Sequence, residues 1–293
     1  MNFQNILQEI AKTDPEVYEK VSARRHILKS FSSKVALAAL PIAVGSMFKK
    51  AYGKSTGTVI STLQFALEME YLEFNYYHTG NNTGSNTTDW LVPVADRAGF
   101  QLVEDQERMH INFLRTTIDT MGAVPFTPKN YTGDAITGNP YSPASYDFTA
   151  GMMFSPFSDY GNFLDLAIAI EDTGIRAYQG QLPNLLGNSD LMTQMMQMNT
   201  VEARHSSFAR TVRRFHNTSS YNYGMKPWIT TNFPPAVALQ ENYLGEDNTV
   251  QRGIDITGLA SFSGYVSAAA ASEAYDEAMD QETAMSLMAK FKV

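Results

Sequence analysis

Two copies of a Glu-x-x-His spacing constrain the fold of this 293-residue chain more than any other feature. Glu107 and His110 form the first copy, and Glu202 and His205 form the second. Residues three positions apart project from one face of an α-helix. Each copy therefore predicts a helix that carries a carboxylate and an imidazole side by side, and these are ligands that divalent iron, manganese and zinc accept.

Two further glutamates interrupt apolar stretches with helical periodicity. Glu70 lies in 63-LQFALEMEYLEFNYY-77, and Glu171 lies in 166-LAIAIEDTGIRAY-178. One Glu from each of two helices, with Glu-x-x-His from each of the other two, is the ligand set of a dinuclear carboxylate site inside a four-helix bundle. The sequence therefore predicts six metal ligands, which are Glu70, Glu107, His110, Glu171, Glu202 and His205. The competing interpretation, surface glutamates and structural histidines, requires all six to match by accident.

The pattern also suggests a role for each carboxylate. We predict that Glu107 and Glu202 bridge two metal ions and that Glu70 and Glu171 each bind one ion; the reverse assignment stays open. Glu104 lies one turn before Glu107 and is a candidate extra or switching ligand.

Two tyrosines repeat the same order in each half of the chain. Tyr77 follows Glu70 by seven residues, and Tyr178 follows Glu171 by seven residues. Each lies two helical turns from a predicted ligand and is a candidate for hydrogen bonding to the ligand shell. Both would fit equally well as ordinary core tyrosines. The repeat predicts two helix pairs that face each other across the metal site.

Hydrophobic periodicity predicts four long helices and the connections between them. The predicted helices cover 58–77, 94–121, 158–180 and 190–216, the last capped by Ser189. The Gly- and Asn-rich run 79–89 is predicted to be a loop, and 125–147 is predicted to be a long irregular connection. Glu68 and Glu73 lie off the apolar stripe of the first helix and are expected to be solvated.

The C-terminal part of the chain follows a different pattern. Residues 217–254 are aromatic and turn-rich and give no clear assignment. A single helix is predicted over 267–291, whose alanines and methionines would pack on the bundle or on a second subunit. The predicted organisation is therefore an N-terminal segment 1–54, a bundle 55–216 and an extension 217–293 that ends in a helix.

Charge and cysteine content exclude several classes of partner and cofactor. The chain holds 22 basic and 30 acidic residues; nine of the basic and four of the acidic residues lie in 1–54, which leaves 13 and 26 in the remainder. A body this acidic repels phosphate backbones, so a nucleic-acid partner is not expected. Because there are no cysteines, the chain itself provides neither an iron–sulfur cluster nor a redox dithiol.

The N-terminal segment resembles an export signal. Arg24 and Arg25 precede an apolar run from Val35 to Phe48, which is too short to span a membrane as a helix. Adjacent arginines are typical of twin-arginine leaders, whose export machinery carries folded proteins and would place this one in the periplasm or cell envelope. The alternative is an amphipathic N-terminal helix that stays on a cytoplasmic protein.

The motifs over 55–216 resemble the ferritin-like superfamily. They are most similar to the bacterial ferritin-like family that includes plant desiccation-related proteins and often begins with a twin-arginine leader. The resemblance rests on 66-ALEMEYLEFNYY-77 and on the Glu and Glu-x-x-His residues named above. It implies an all-α bundle with one long crossover and a pair of iron ions, or manganese ions, as cofactor.

Three functions are compatible with this resemblance. The first is a stress-response oxidoreductase, with diiron oxidase, peroxidase or manganese-catalase-like activity, that acts on oxygen, peroxide or ferrous iron and draws electrons from an external donor. The second is a non-catalytic envelope protein that serves stability or partner binding. Iron storage comes third, because cage ferritins are shorter and lack the long crossover and the extension. A homo-oligomer is compatible with each of them.

Overall fold

The computed structural model describes residues 55–82, 90–129, 131, 140–142, 145–216, 225–261 and 264–293. All of these belong to one compact unit, Phe48–Val293. The export-signal prediction for 1–54 falls outside the described residues. None of the helices within them is long and apolar enough to cross a membrane.

Four long helices dominate the described residues, which confirms the all-α prediction. They are α1 (Thr56–Asn82), α2 (Val94–Thr120), α3 (Tyr160–Gln181) and α4 (Ser189–Phe215). They pack mainly as two pairs, α1 with α2 and α3 with α4. Apolar side chains from all four helices fill a single core, and the long connection between α2 and α3 is the predicted crossover.

The first helix is longer than its sequence predicts. It continues to Asn82, through residues that were expected to form a loop. Gly80 packs directly against Phe163, because a Cβ atom there would lie 2.3 Å from the ring. The Asn81 side chain donates to the Phe100 carbonyl oxygen at 3.0 Å. These tertiary contacts outweigh the low helix propensity of Gly and Asn.

The N-terminal cap of α4 also differs from the prediction. The helix begins at Ser189, and Asn188 is the capping residue, since its side chain accepts a hydrogen bond from the Leu191 amide at 3.2 Å. Asparagine and serine are similarly good caps, so sequence preference alone does not distinguish the two positions.

The extension contains short elements rather than one terminal helix. Two small antiparallel hairpins precede two short helices. The strands are β1 (Val250–Gln251), β2 (Ile254–Asp255), β3 (Ala260–Ser261) and β4 (Gly264–Tyr265), and the helices are α5 (Ala268–Ser272) and α6 (Gln281–Ala289). The predicted helix over 267–291 is thus wrong in its middle. There the Met279 amide donates to the Arg176 carbonyl oxygen at 2.9 Å, and Asp280 caps α6.

A buried polar network fixes the extension to α3. The Arg176 guanidinium donates to the carbonyl oxygens of Asn242 at 2.5 Å and Leu244 at 2.8 Å, and it forms an ion pair with Glu246 at 2.6 Å. One turn earlier, Asp172 accepts a hydrogen bond from the Tyr243 hydroxyl at 2.5 Å. Because buried polar groups are costly without partners, these bonds specify where the extension lies.

The approach of the extension to Gly180 provides a test of this docking. A Cβ atom at Gly180 would lie 1.9 Å from the Met279 carbonyl oxygen, so Gly180→Ala must push the segment off α3. We expect the free energy of unfolding to fall by about 1–3 kcal/mol, as for other overpacked sites. Gly57→Ala is the matched control, since a Cβ atom there meets nothing closer than the Ser55 hydroxyl at 3.8 Å. Equal melting temperatures for the two variants would contradict this account.

Candidate metal centre

The six predicted ligands come together in the middle of the bundle. Each long helix contributes from its inward face: Glu70 from α1, Glu171 from α3, and a Glu-x-x-His pair from each of α2 and α4. All four carboxylates are fully buried, and His205 and His110 are 3% and 9% exposed. Within the described residues these side chains form two overlapping groups that could hold metal ions.

The two groups share a pair of carboxylates. One consists of Glu70, Glu107, His110 and Glu202, and the other of Glu107, Glu171, Glu202 and His205. Within each group, one ligand atom per residue lies within 4.8 Å of the others. Two adjacent ions would thus each have one histidine and one carboxylate of their own, with Glu107 and Glu202 between them.

The shared carboxylates present one oxygen to each histidine. Glu107 Oε2 lies 3.3 Å from His110 Nδ1, and its Oε1 lies 2.6 Å from His205 Nδ1. Glu202 Oε1 lies 2.8 Å from His110 Nδ1, and its Oε2 lies 3.3 Å from His205 Nδ1. This is the orientation that a bridging carboxylate requires, and the two imidazole centroids lie 6.3 Å apart.

The unshared carboxylates instead face one histidine each. Glu70 Oε2 lies 3.1 Å from His110 Nδ1, and Glu171 Oε2 lies 3.6 Å from His205 Nδ1. The other oxygen of each carboxylate accepts a hydrogen bond from a tyrosine. Tyr77 donates to Glu171 Oε1 at 2.6 Å, and Tyr178 donates to Glu70 Oε1. Each tyrosine therefore contacts the predicted ligand of the opposite helix, rather than the one that precedes it in sequence.

Several of these buried atoms have no hydrogen-bond partner. They are Glu107 Oε1, Glu171 Oε2, both carboxylate oxygens of Glu202, and His205 Nδ1. Although neighbouring atoms are close, the groups are not aligned to bond each other. Unsatisfied buried polar atoms carry a large desolvation cost, which a cation at their common point would remove. The donor set of carboxylates and imidazoles therefore fits a pair of divalent transition-metal ions.

One residue that orients the centre was not apparent from the sequence. Gln106 Oε1 lies 2.7 Å from His205 Nε2, and it accepts a hydrogen bond from the Nε2–H group of the neutral ring. That tautomer leaves the Nδ1 lone pair directed at the carboxylates, as a metal ligand must be. Gln106 lies off the inward stripe of α2, so only its position next to Glu107 could have indicated from the sequence that it contacts the centre.

Glu104 belongs to neither group. Its carboxylate lies 2.6 Å from His78 Nδ1 and accepts a hydrogen bond from Asn81 Nδ2 at 2.8 Å. Arg108 Nη2 lies 3.4 Å from the same carboxylate. The structure therefore places this candidate extra ligand in a separate polar cluster.

Glu73 corrects a second expectation about α1. It was expected to be solvated but is 1% exposed, and its Oε2 has no hydrogen-bond partner. Burial raises its pKa well above the usual value, and the negative charges of Glu202 and Glu70 raise it further. Together with Thr173 and Asn242, Glu73 lines a cavity of about 20 Å³. This cavity has room for a single water molecule. Burial therefore favours the neutral form of this carboxyl group at the edge of the centre. Glu68, which was also expected to be solvated, has only 17% of its side chain exposed and forms a 2.6 Å ion pair with Lys292.

The protonation states of the ligands follow from their mutual charges. Burial lowers the pKa of both imidazoles, but the nearby carboxylates, chiefly Glu70 for His110 and Glu107 for His205, raise it well above the usual range. Burial raises the pKa of Glu171 to about 8, whereas the imidazoles hold the pKa of Glu107 below its usual value despite burial. Without metal, protons on the imidazoles offset the negative charge of the carboxylates.

A family comparison covers the same region. The sequence model of the ferritin-like domain family matches residues 58–214, and this range includes all six predicted ligands. No curated protein matches the chain. The match spans more than half of the sequence, and it agrees with the four-helix core and its buried Glu and His groups. The chain therefore belongs to the ferritin-like domain family.

Proposed function

We propose that this protein binds two divalent metal ions, iron or manganese, and acts as an oxidoreductase on oxygen, peroxide or ferrous iron in stress protection. The observation that supports it best is the orientation of Glu107 and Glu202, each with one oxygen toward each histidine. When bound, the two ions would supply Lewis acidity and redox chemistry.

The side chains of the protein perform the other tasks. Glu107 and Glu202 would hold both ions, while His110 and His205 would hold one each through Nδ1. The hydroxyl groups of Tyr77 and Tyr178 keep their protons, because burial raises both pKa values well above the usual range. They donate to Glu171 and Glu70 and so fix the orientation of these carboxylates.

The two sides of the centre differ in their access to solvent. The His110 side chain is 11% exposed, whereas the His205 side chain is 3% exposed and is backed by Gln106. A small oxidant would reach the centre from the side of His110. Electrons must come from an external donor, since the chain contains no cysteine with which to ligate an iron–sulfur cluster. We further propose twin-arginine export, which would carry the folded, metal-loaded protein to the envelope.

The second candidate is a non-catalytic, desiccation-related envelope protein that binds a partner. The extension favours it, because large apolar side chains there are exposed, including Phe233 at 53%, Val237 at 74% and Tyr265 at 77%. Exposed apolar groups often mark interaction sites. Under this function the metal ions would stabilise the bundle without turnover.

Metal content tests the dinuclear centre directly. We expect about two divalent ions per chain in protein from its native host and fewer than about one in Glu202→Gln, because Glu202 belongs to both groups. Glu246→Gln is the matched control: Glu246 is 1% exposed, but it pairs with Arg176 and belongs to neither group. Elemental analysis of the three proteins would contradict the proposal if Glu246→Gln lost as much metal as Glu202→Gln.

Turnover distinguishes the two candidate functions. We expect the iron- or manganese-loaded protein to oxidise ferrous iron or consume peroxide. Tyr178→Phe should lower metal affinity or turnover by about 10–100-fold, because Glu70 loses the donor that orients it. Tyr243→Phe removes an equally buried hydroxyl that bonds Asp172 and should leave both unchanged. Full metal content without turnover in the wild-type protein would favour the non-catalytic candidate.

Proton release tests the charge balance of the centre. The raised pKa values keep both imidazoles protonated near neutral pH in the metal-free protein, whereas a metal ligand must be the neutral ring. Loading should therefore release about two or more protons per chain, and affinity should fall as the pH is lowered from about 8 to about 6. Calorimetric titration in buffers of different protonation enthalpy measures this release. An affinity that does not change with pH would show that the histidines bind no metal.

A further inference from the structure

A second polar cluster lies outside the buried centre, at the C-terminal end of α1. It lines an open cleft of about 330 Å³. The lining residues are His78, Asn81, Asn82, Trp90, Gln101, Glu104 and Asp105. The proposed centre uses none of them. An imidazole, a carboxylate and several amide side chains thus line one cleft.

The core of this cluster is a hydrogen-bonded imidazole–carboxylate pair. His78 Nδ1 lies 2.6 Å from Glu104 Oε1, the same separation as between His205 Nδ1 and Glu107 Oε1 in the centre. Their side chains are 22% and 10% exposed, so the pair is shielded on one side and open on the other. Burial opposes ionisation of Glu104, but hydrogen bonds from His78 and Asn81 hold its pKa below the usual value. The carboxylate is therefore charged at neutral pH.

A buried oxygen without a partner points to a missing ligand. The Asn81 side chain is 2% exposed, and its amide nitrogen donates to Glu104 Oε2 at 2.8 Å and to the Phe100 carbonyl oxygen at 3.0 Å. Both partners are acceptors, which fixes the amide orientation and leaves Asn81 Oδ1 without a hydrogen bond. Asn81 lines the cleft together with His78 and Glu104, so this oxygen is a candidate third donor.

We propose that His78, Asn81 and Glu104 form an accessory site for one divalent transition-metal ion, separate from the buried pair. An imidazole nitrogen with carboxylate and amide oxygens suits zinc, iron, manganese or cobalt in the divalent state, rather than magnesium or calcium, which prefer oxygen alone. Water would complete the coordination on the open side of the cleft.

A bound ion would displace two contacts of Glu104: the hydrogen bond from His78 Nδ1, which must lose its proton to coordinate, and the contact with Arg108. Arg108 Nη2 lies 3.4 Å from Glu104 Oε1 and 4.0 Å from Asp105 Oδ1. The Arg108 side chain is 43% exposed, so it can leave Glu104 and stay with Asp105 at little cost. An ion at the site would thus replace both contacts of Glu104 with direct coordination.

Cobalt titration of the full chain tests the site. Trp90 lies in the cleft and Trp228 lies in the extension, so Trp228→Phe leaves Trp90 as the single tryptophan. In chelator-stripped protein with that change, we expect Co²⁺ to quench Trp90 fluorescence with a stoichiometry of one ion. Glu104→Gln and His78→Ala should each weaken this phase by at least about tenfold. Both variants should keep the circular dichroism spectrum and melting temperature of the parent, which shows that they fold.

Two controls decide the assignment. His216→Ala removes a similar pair, in which His216 Nε2 lies 2.7 Å from Asp96 Oδ2. No buried oxygen of that pair lacks a hydrogen-bond partner. This variant should therefore leave the quenching phase unchanged. Glu202→Gln disables the buried pair and should retain the accessory ion, so failure of one site does not imply failure of the other. The proposal is overturned if Co²⁺ does not quench Trp90, if Glu104→Gln binds like the parent, or if His216→Ala weakens binding equally.

Discussion

Burying four carboxylates at one point is the constraint on which the rest of this structure depends. Glu70, Glu107, Glu171 and Glu202 have no exposed surface, and each ionised group left unpaired would cost on the order of several kcal/mol. A fold that contains this cluster must surround it with positive charge or hydrogen-bond donors. The bundle does so from all four helices at once, because no single helix can present enough partners.

The tyrosine bonds couple the two halves of the bundle. Tyr77 of α1 bonds Glu171 of α3, and Tyr178 of α3 bonds Glu70 of α1. Each half therefore completes the ligand environment of the other, and neither helix pair can form its part of the centre alone. The repeat in the sequence follows from this reciprocity, since a carboxylate and a tyrosine seven residues later point to the same interior from both helices.

Helical periodicity in the sequence is enough to predict the four helices and the ligands on their inward faces. It does not predict which side chains the C-terminal extension buries. The inward stripe and the Glu-x-x-His spacing were sufficient to place the four helices and to bring the six side chains together. Glu73 could not be predicted, because it lies on the face of α1 that the extension covers with Leu287, Met288 and Phe291. The extension has no periodic pattern, so its position depends on the Arg176 network, which sequence spacing does not show.

Glu104 and Glu107 lie one helical turn apart but have very different surroundings. Both belong to α2 and both lie within 3.5 Å of an imidazole nitrogen, yet Glu107 has histidines from two helices around it, while Glu104 lies at the edge of an open cleft. The difference comes from α1, which continues past its predicted end and brings His78 and Asn81 over the outer turn of α2. Had α1 stopped at Tyr77, Glu104 would face solvent as an ordinary surface acid. The helix extension that the sequence did not predict is therefore what creates the polar cleft.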